Sequence, residues 1–202
     1  APPPRCARNR REPYTGAMDV YDFDGTLYEG DSTADFLRFC AGRHPRILTT
    51  LPRTALAAFE CLGLKWISKT QFKEMLYRFL PKVPDIHREV EAFWASHERK
   101  IAGPCRPQPG DVVISAGPEF LLRPMCEKRG LALIASPVDP ITGRTLGPNC
   151  SNEQKVVRLQ AEYPGTPVSR FFSDSHNDDP LAALAEEAFM VKNGRLEPWS
   201  FE

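Results

Sequence analysis

The sequence predicts an α/β fold, a doubly wound and mostly parallel sheet into which a helical bundle is inserted. Three observations carry this. Short β-branched runs alternate with helical patterns across residues 111–191. A block from Thr33 to about Lys100 has helical spacing and no strand pattern. Near the start, the run Val20-Tyr21 ends on Asp22-Phe23-Asp24-Gly25-Thr26, two carboxylates spaced i, i+2 and then a glycine break.

The first 17 residues hold four Arg and one Glu among prolines, a local charge of +3 in a chain whose formal net charge is zero. They lack the apolar stretch of a secretory signal and have almost nothing to pack, so a disordered extension is expected, with Met18 opening the folded protein. Val20 and Tyr21 suit a strand. Asp22 and Asp24 then leave its carboxyl end, the usual ligand-binding edge of an open α/β sheet, and i, i+2 residues of extended chain share a face. Within the insertion, Asp35–Cys40 opens a helix, and a second pattern over 45–64 should be kinked or divided by Pro52. Ser68–Leu80 reads as a third helix, with Phe72, Met75, Leu76 and Phe79 on one face. Asp85–Lys100 reads as a fourth, with Ile86, Val90, Phe93, Trp94 and His97 as its stripe. Residues 54–67 are apolar but broken by Glu60 and Lys65, well short of the roughly 20 residues a bilayer span requires.

Gly103–Gly110, with Pro104, Pro107 and Pro109, is a linker back to the sheet. Asp111–Ala116 is a continuous apolar strand of the buried parallel kind. Pro118 and Glu119 open a helix through Leu121, Leu122 and Met125. Leu131–Ala135 is a third strand, and Val138–Leu146, with Asp139-Pro140 and Thr142-Gly143, a hairpin excursion. Ser151–Glu162 is a helix whose Ser151 and Gln154 have capping-box spacing. Val168–Ser173 is a fourth strand, Asp179-Pro180 starts a helix through Glu187, and Ala188–Val191 is a short fifth strand. The domains are therefore an extension (1–17), an α/β core (18–32 and 103–202) and the helical insertion (33–102).

Composition narrows the function. With 42% hydrophobic and 26% charged residues, a soluble core-bearing protein is expected, and zero net charge gives no general pull toward nucleic acid or an anionic membrane. Six scattered cysteines without CxxC spacing suit free thiols in a reducing cytoplasm. For the Asp22/Asp24 pair, a calcium loop of the EF-hand type fails. Counting from Asp22, the positions needing an oxygen ligand, Gly and Glu hold Thr26, Leu27 and Thr33, wrong at the two most restrictive places. A plain turn and an aspartyl nucleophile with a neighbouring acid/base remain. Three further polar sites fall at strand ends or a helix start: Ser115, Lys155 and Asp174-Ser175-His176-Asn177-Asp178. Singly these are a strand-end hydroxyl, a solvated lysine and a helix cap. Together, in this order, they are not.

The set resembles the haloacid dehalogenase superfamily, phosphatase branch. Asp22-Phe23-Asp24-Gly25-Thr26 is similar to its first motif and Val113-Ile114-Ser115-Ala116 to its second. Lys155 after Asn149-Cys150-Ser151 is similar to its third, and Phe172-Ser173-Asp174-Ser175-His176-Asn177-Asp178 to its fourth. The resemblance covers residues 18–199, and a helical insertion after the first motif matches the cap of phosphoserine phosphatase-like members on a Rossmann-like core. It implies Mg²⁺ held by Asp22, Asp174 and the backbone carbonyl of Asp24. It further implies Asp22 as nucleophile, Asp24 as acid/base, and Ser115 and Lys155 on the phosphoryl group. Asp178 would orient the metal shell or Lys155, with Phe23, Gly25 and Ala116 in the phosphate loop. Gly117 stands where relatives often carry a small hydroxyl residue, and Asp179 is an extra carboxylate assigned here to helix capping.

The expected substrate is a small phosphate monoester, in a monomer or homodimer without nucleic acid or membrane. Asp24 argues against a dehalogenase, since a halide needs no proton. A phosphomutase or phosphotransferase, or a non-catalytic module binding through the insertion, stays open. Selectivity should lie in the insertion and the turn before it, with Glu29 and Asp31 as acidic candidates and Arg38, Arg43, His44 and Arg46 as basic ones. Such a mixed lining would suit a small zwitterionic, phosphoserine-like leaving group.

Overall fold

The computed structural model describes residues 16–50, 73 and 75–201. The expected N-terminal extension, most of the pattern over 45–64 and the start of the Ser68–Leu80 helix lie outside the described residues. Six strands form one sheet in the order β3-β2-β1-β4-β5-β6. They are β1 (Met18–Tyr21), β2 (Val112–Pro118), β3 (Ala132–Ser136), β4 (Val168–Ser173), β5 (Ala185–Lys192) and β6 (Arg195–Pro198). The first five run parallel and β6 pairs antiparallel with β5. Because β1 is central, between β2 and β4, the loop after Tyr21 emerges in the middle of the sheet's carboxyl edge.

Alternation along the strands sorts side chains to two covered faces. Met18, Val20, Val112 and Ile114 pack on one side with Leu159 of α4 (Glu153–Glu162) and Leu181 of α5 (Asp179–Ala182). Tyr21 and Val113 pack on the other with Leu121 and Leu122 of α3 (Glu119–Lys128). The second face also carries described parts of the segment between β1 and β2. Its α1 (Ser32–Arg43) is capped by Asp31 Oδ1, which accepts from Ala34 N at 2.8 Å, and its α2 (Ile86–His97) by Asp85 Oδ1, which accepts from Arg88 N at 3.1 Å. Phe36, Phe93 and Trp94 belong to the same apolar cluster as Leu121 and Val113. Trp94 Nε1 donates to Leu121 O at 2.7 Å, so burial and a satisfied indole together seat α2 on α3.

The chain leaves and re-enters the sheet along adjacent paths. Glu29 N donates to Lys100 O at 2.8 Å, and Lys100 Nζ bonds Asp35 Oδ2 at 2.5 Å. Gly103 lies so near the first crossing that a Cβ there would sit 2.5 Å from Thr26 O.

Three expectations are corrected. Ser151 and Gln154 form no capping box: Asn152 occupies the N-cap position at φ +53 without a side-chain cap, and Ser151 Oγ accepts from Asn149 Nδ2. The helix from Asp179 stops at Ala182 rather than Glu187. Ala185–Glu187 are strand instead, because pairing with β4 (Val168 with Ala185, Arg170 with Glu187) overrides the helix preference of an Ala/Glu-rich run. Strand β6 is additional to the expected elements, although Asn193-Gly194, with φ of +51 and +70, is the two-residue hairpin signal that marks it.

Candidate active site

The site starts where β1 ends. Asp22 N still pairs with Phe172 O of β4 at 2.8 Å, so its side chain is fixed by the sheet. The chain then turns. Gly25 adopts φ +76, and Phe23 O accepts from the amides of Thr26, Leu27 and Tyr28. Phe23 itself is buried among Tyr28 and Trp94, so only its backbone faces the loop's mouth. Asp174, just past β4, lies against this turn, and a Cβ on Gly25 would fall 1.9 Å from Asp174 Oδ2. Only glycine lets the two loops approach so closely.

Lys155 enters from the first turns of α4, 3% exposed, and its Nζ donates to Asp22 Oδ1 at 2.7 Å and Asp178 Oδ2 at 2.6 Å. Ser173 Oγ also donates to Asp178 Oδ2, at 2.7 Å. Burial alone would depress the lysine, but the two carboxylates outweigh it and keep the ammonium charged. Burial raises Asp22 above the ordinary carboxylate range. Asp178 and Asp174 add to that, and Lys155 opposes it. One cation therefore faces three carboxylates.

Asp24 differs from its neighbour. Its Oδ1 accepts from Ser32 N at 2.7 Å, but burial pushes its carboxyl up to about 7. Ser115 is 1% exposed in the middle of β2, the last residue paired with β3 before the register shifts, and its Oγ accepts from Gly117 N at 3.0 Å. The β2–β3 register shifts between Ser115 and Pro118, so Ala116 and Gly117 bulge out of the ladder and turn backbone toward the sheet edge. Gly117 is close-fitting as well: a Cβ there would lie 3.0 Å from Leu122 Cδ1 and 3.6 Å from Asp24 Oδ2.

Asp22, Asp24, Ser115, Lys155, Asp174 and Asp178 thus gather at one edge, with Gly25 and Ala116 in the loops beside them. The selectivity candidates are less engaged. Glu29 is exposed, and Asp31, also exposed, is occupied as the α1 cap. Arg38 pairs with Asp35, and Arg43 and His44 with Glu89. Asp179 is not the expected cap: Asp178 takes the N-cap position, Asp179 is the first residue of α5, and His176 Nδ1 and Trp199 Nε1 both contact its Oδ1. An open cleft lined by Arg46, Thr49, Pro81, Lys82 and Pro84 includes none of the motif residues. Lys73 joins the site without any signal in the sequence. Its Nζ reaches Ala116 O at 2.5 Å and Asn149 Oδ1 at 2.7 Å. Its partners are a backbone carbonyl and an amide far along the chain, which no local spacing announces.

Among the described residues no three His, Cys, Asp or Glu side chains form a metal-holding group on their own. Two carboxylates with a backbone carbonyl are instead the hard-oxygen set that Mg²⁺ takes when waters complete its shell. The crowding of Asp22, Asp174 and Asp178 around one ammonium fits the addition of a cation.

The sequence profile of the haloacid dehalogenase-like hydrolase family matches residues 20–183, and the chain belongs to that family. Protein CicA of Caulobacter vibrioides is 26% identical over 207 aligned residues, covering 87% of this chain and 88% of that protein. Among solved structures, a protein of unknown function from Bordetella pertussis Tohama I matches at TM-score 0.63 and 24% identity, over 86% of this chain and 89% of that one. A probable phosphoserine phosphatase from Vibrio cholerae matches at TM-score 0.56 and 13% identity, over 85% and 55%. At these identities the two structures bear on the fold.

Proposed function

We propose that this hydrolase is a Mg²⁺-dependent phosphatase acting on a small phosphate monoester, with the segment between β1 and β2 as a cap over the leaving group. The observation that carries this is the contrast between two nearby carboxylates. Burial raises both carboxyls above the ordinary range, Asp24 to about 7, but Asp22 accepts from the Lys155 ammonium whereas Asp24 accepts from the Ser32 amide. The first suits a nucleophile and the second an acid that later serves as base. The likeness to a probable phosphoserine phosphatase leans the substrate toward phosphoserine or a similar small ester.

Asp22 Oδ attacks phosphorus and the ester P–O bond breaks, while Asp24 gives its proton to the departing oxygen. Asp24, now ionised, takes a proton from water. That water's oxygen attacks phosphorus, the bond to Asp22 breaks, and phosphate leaves. Lys155 and the Ser115 hydroxyl would hold phosphoryl oxygens, and Asp178 keeps Lys155 aimed. Two unit charges about 4 Å apart repel by roughly 4 kcal/mol at an effective dielectric near 20, so an anionic nucleophile needs countercharge to meet a phosphate ester. Mg²⁺ on Asp22, Asp174 and the Asp24 carbonyl would supply it.

The test is phosphate release from an aryl phosphate. It should stop in chelator, return with Mg²⁺, and fall by about 100-fold or more in Asp22→Asn with melting temperature retained. Persistent turnover in Asp22→Asn would reject the nucleophile, and isomerised rather than hydrolysed product would indicate a phosphomutase.

A further inference from the structure

Among the described lysines with side-chain hydrogen bonds, Lys73 and the outlying Lys82, which bonds Arg46 O and Thr49 Oγ1, are the two without a carboxylate. Lys100, Lys128 and Lys155 each meet a carboxylate. The two hydrogen-bond partners of Lys73, Ala116 O and Asn149 Oδ1, are neutral dipoles. An ammonium has three donors, so one remains without a partner among the described residues. Ala116 O is fixed in turn by Ser136 Oγ at 2.9 Å, and Ser136 Oγ also contacts Asn149 Oδ1 at 2.9 Å. The lysine is therefore held in place by a rigid polar node rather than waving in solvent.

Tyr77, four residues after Lys73, opens the 3₁₀-helix Tyr77–Lys82. It is 1% exposed, and its hydroxyl makes no hydrogen bond of acceptable geometry, although Thr33 lies near enough to influence it. Its backbone is braced by the hairpin, since a Cβ on Gly143 would lie 2.3 Å from Tyr77 O. Both Lys73 and Tyr77 feel the charges of Asp24 and Asp31. Lys73 bonds Ala116 O, the residue between Ser115 and Gly117, and a Cβ on Gly117 would lie 3.6 Å from Asp24 Oδ2. The Thr33 beside Tyr77 follows Ser32, whose N donates to Asp24 Oδ1. Both therefore flank Asp24, where the leaving oxygen would depart. Burial pushes Lys73 down to about 8, which fits a cation lacking a direct counter-ion.

We infer that Lys73 and Tyr77 form the leaving-group subsite, and that the preferred ester carries a second anion, a carboxylate or a phosphate, close to its ester oxygen. This rests on the phosphatase reading above. An anion there gives the buried ammonium a charged partner and the orphan hydroxyl an acceptor, whereas a neutral alcohol satisfies at most the hydroxyl.

Three esters on one two-carbon skeleton test it: 2-hydroxyethyl phosphate, phosphoglycolate and ethane-1,2-diyl bisphosphate. With Mg²⁺ present, wild type should favour one or both charged esters by about 10- to 100-fold in kcat/KM, the range expected for a hydrogen bond to a charged group, mainly through KM. Lys73→Met should collapse that ratio toward one, and Lys73→Arg should keep most of it. Tyr77→Phe should lower the ratio with little change in melting temperature. The favoured charged ester identifies the anion. A wild-type ratio near one, or Lys73→Met slowing all three esters equally, would overturn the inference. If wild type hydrolyses no ester, the phosphatase reading fails. Calorimetric binding of phosphoglycolate then still decides the subsite: weaker binding to Lys73→Met supports it and equal binding overturns it.

Discussion

Replacing Lys155 by Met would leave Asp22 and Asp178 inside the sheet edge without the ammonium between them. Breaking a buried ion pair at one partner typically costs about 3–5 kcal/mol. We expect a loss of that order in urea denaturation of Lys155→Met, with turnover reduced by about 100-fold or more. Adding Asp178→Asn to that variant should restore part of the stability and none of the activity, because it removes a stranded charge without replacing the cation. Strictly additive stabilities would show that Lys155 and Asp178 act independently. At this scale the sequence is most legible where chemistry is compressed into short motifs. Asp22, Asp24, Ser115, Lys155, Asp174 and Asp178 can be picked out because each sits at a predicted strand end or helix start. Lys73 cannot, because its significance comes from a carbonyl and an amide that the fold brings to it.

Among the elements, α1 is tied to the returning chain by Asp35, which receives Lys100, Tyr28 and Arg38. Burial works to raise Asp35, but these donors together outweigh it and hold its carboxyl below the ordinary value near 4. A carboxyl depressed in the folded state adds stability that is complete above its unfolded pKa and is lost as pH falls through its folded one. The stability difference between wild type and Asp35→Asn should therefore be steady near neutrality and shrink progressively below about pH 4. A difference that grows toward acid would reverse the assignment. The sequence reveals most elements because apolar periodicity and Pro/Gly punctuation agree with the fold. It misleads at Ala185–Glu187, where local helix preference opposes a strand whose pairing is entirely long-range. At Arg195–Pro198 the exposed edge strand lacks an apolar alternation, and the Asn193-Gly194 turn is the one usable sign.

For the whole molecule, the excess of carboxylates at the sheet's carboxyl edge would link stability to the proposed Mg²⁺. A ligand that binds only the folded state at about 100 times its Kd stabilises by about 2.7 kcal/mol. Mg²⁺ should therefore raise the melting temperature, and Asp174→Asn should remove most of that rise. An equal rise in both would place the cation elsewhere.

The central position of β1 has a consequence for synthesis. Of the six strands Met18–Tyr21 is made before the others, yet it sits between β2 and β4, and Asp22 and Lys155 are 133 residues apart. At about 5–20 residues per second, the growing chain leaves the β4-facing edge of β1 open for on the order of ten seconds before β4 can pair with it. A ribosome-bound chain stopped before β4 would thus expose an edge of a hydrophobic strand, the kind of surface that chaperones shield and that neighbouring nascent chains can adhere to.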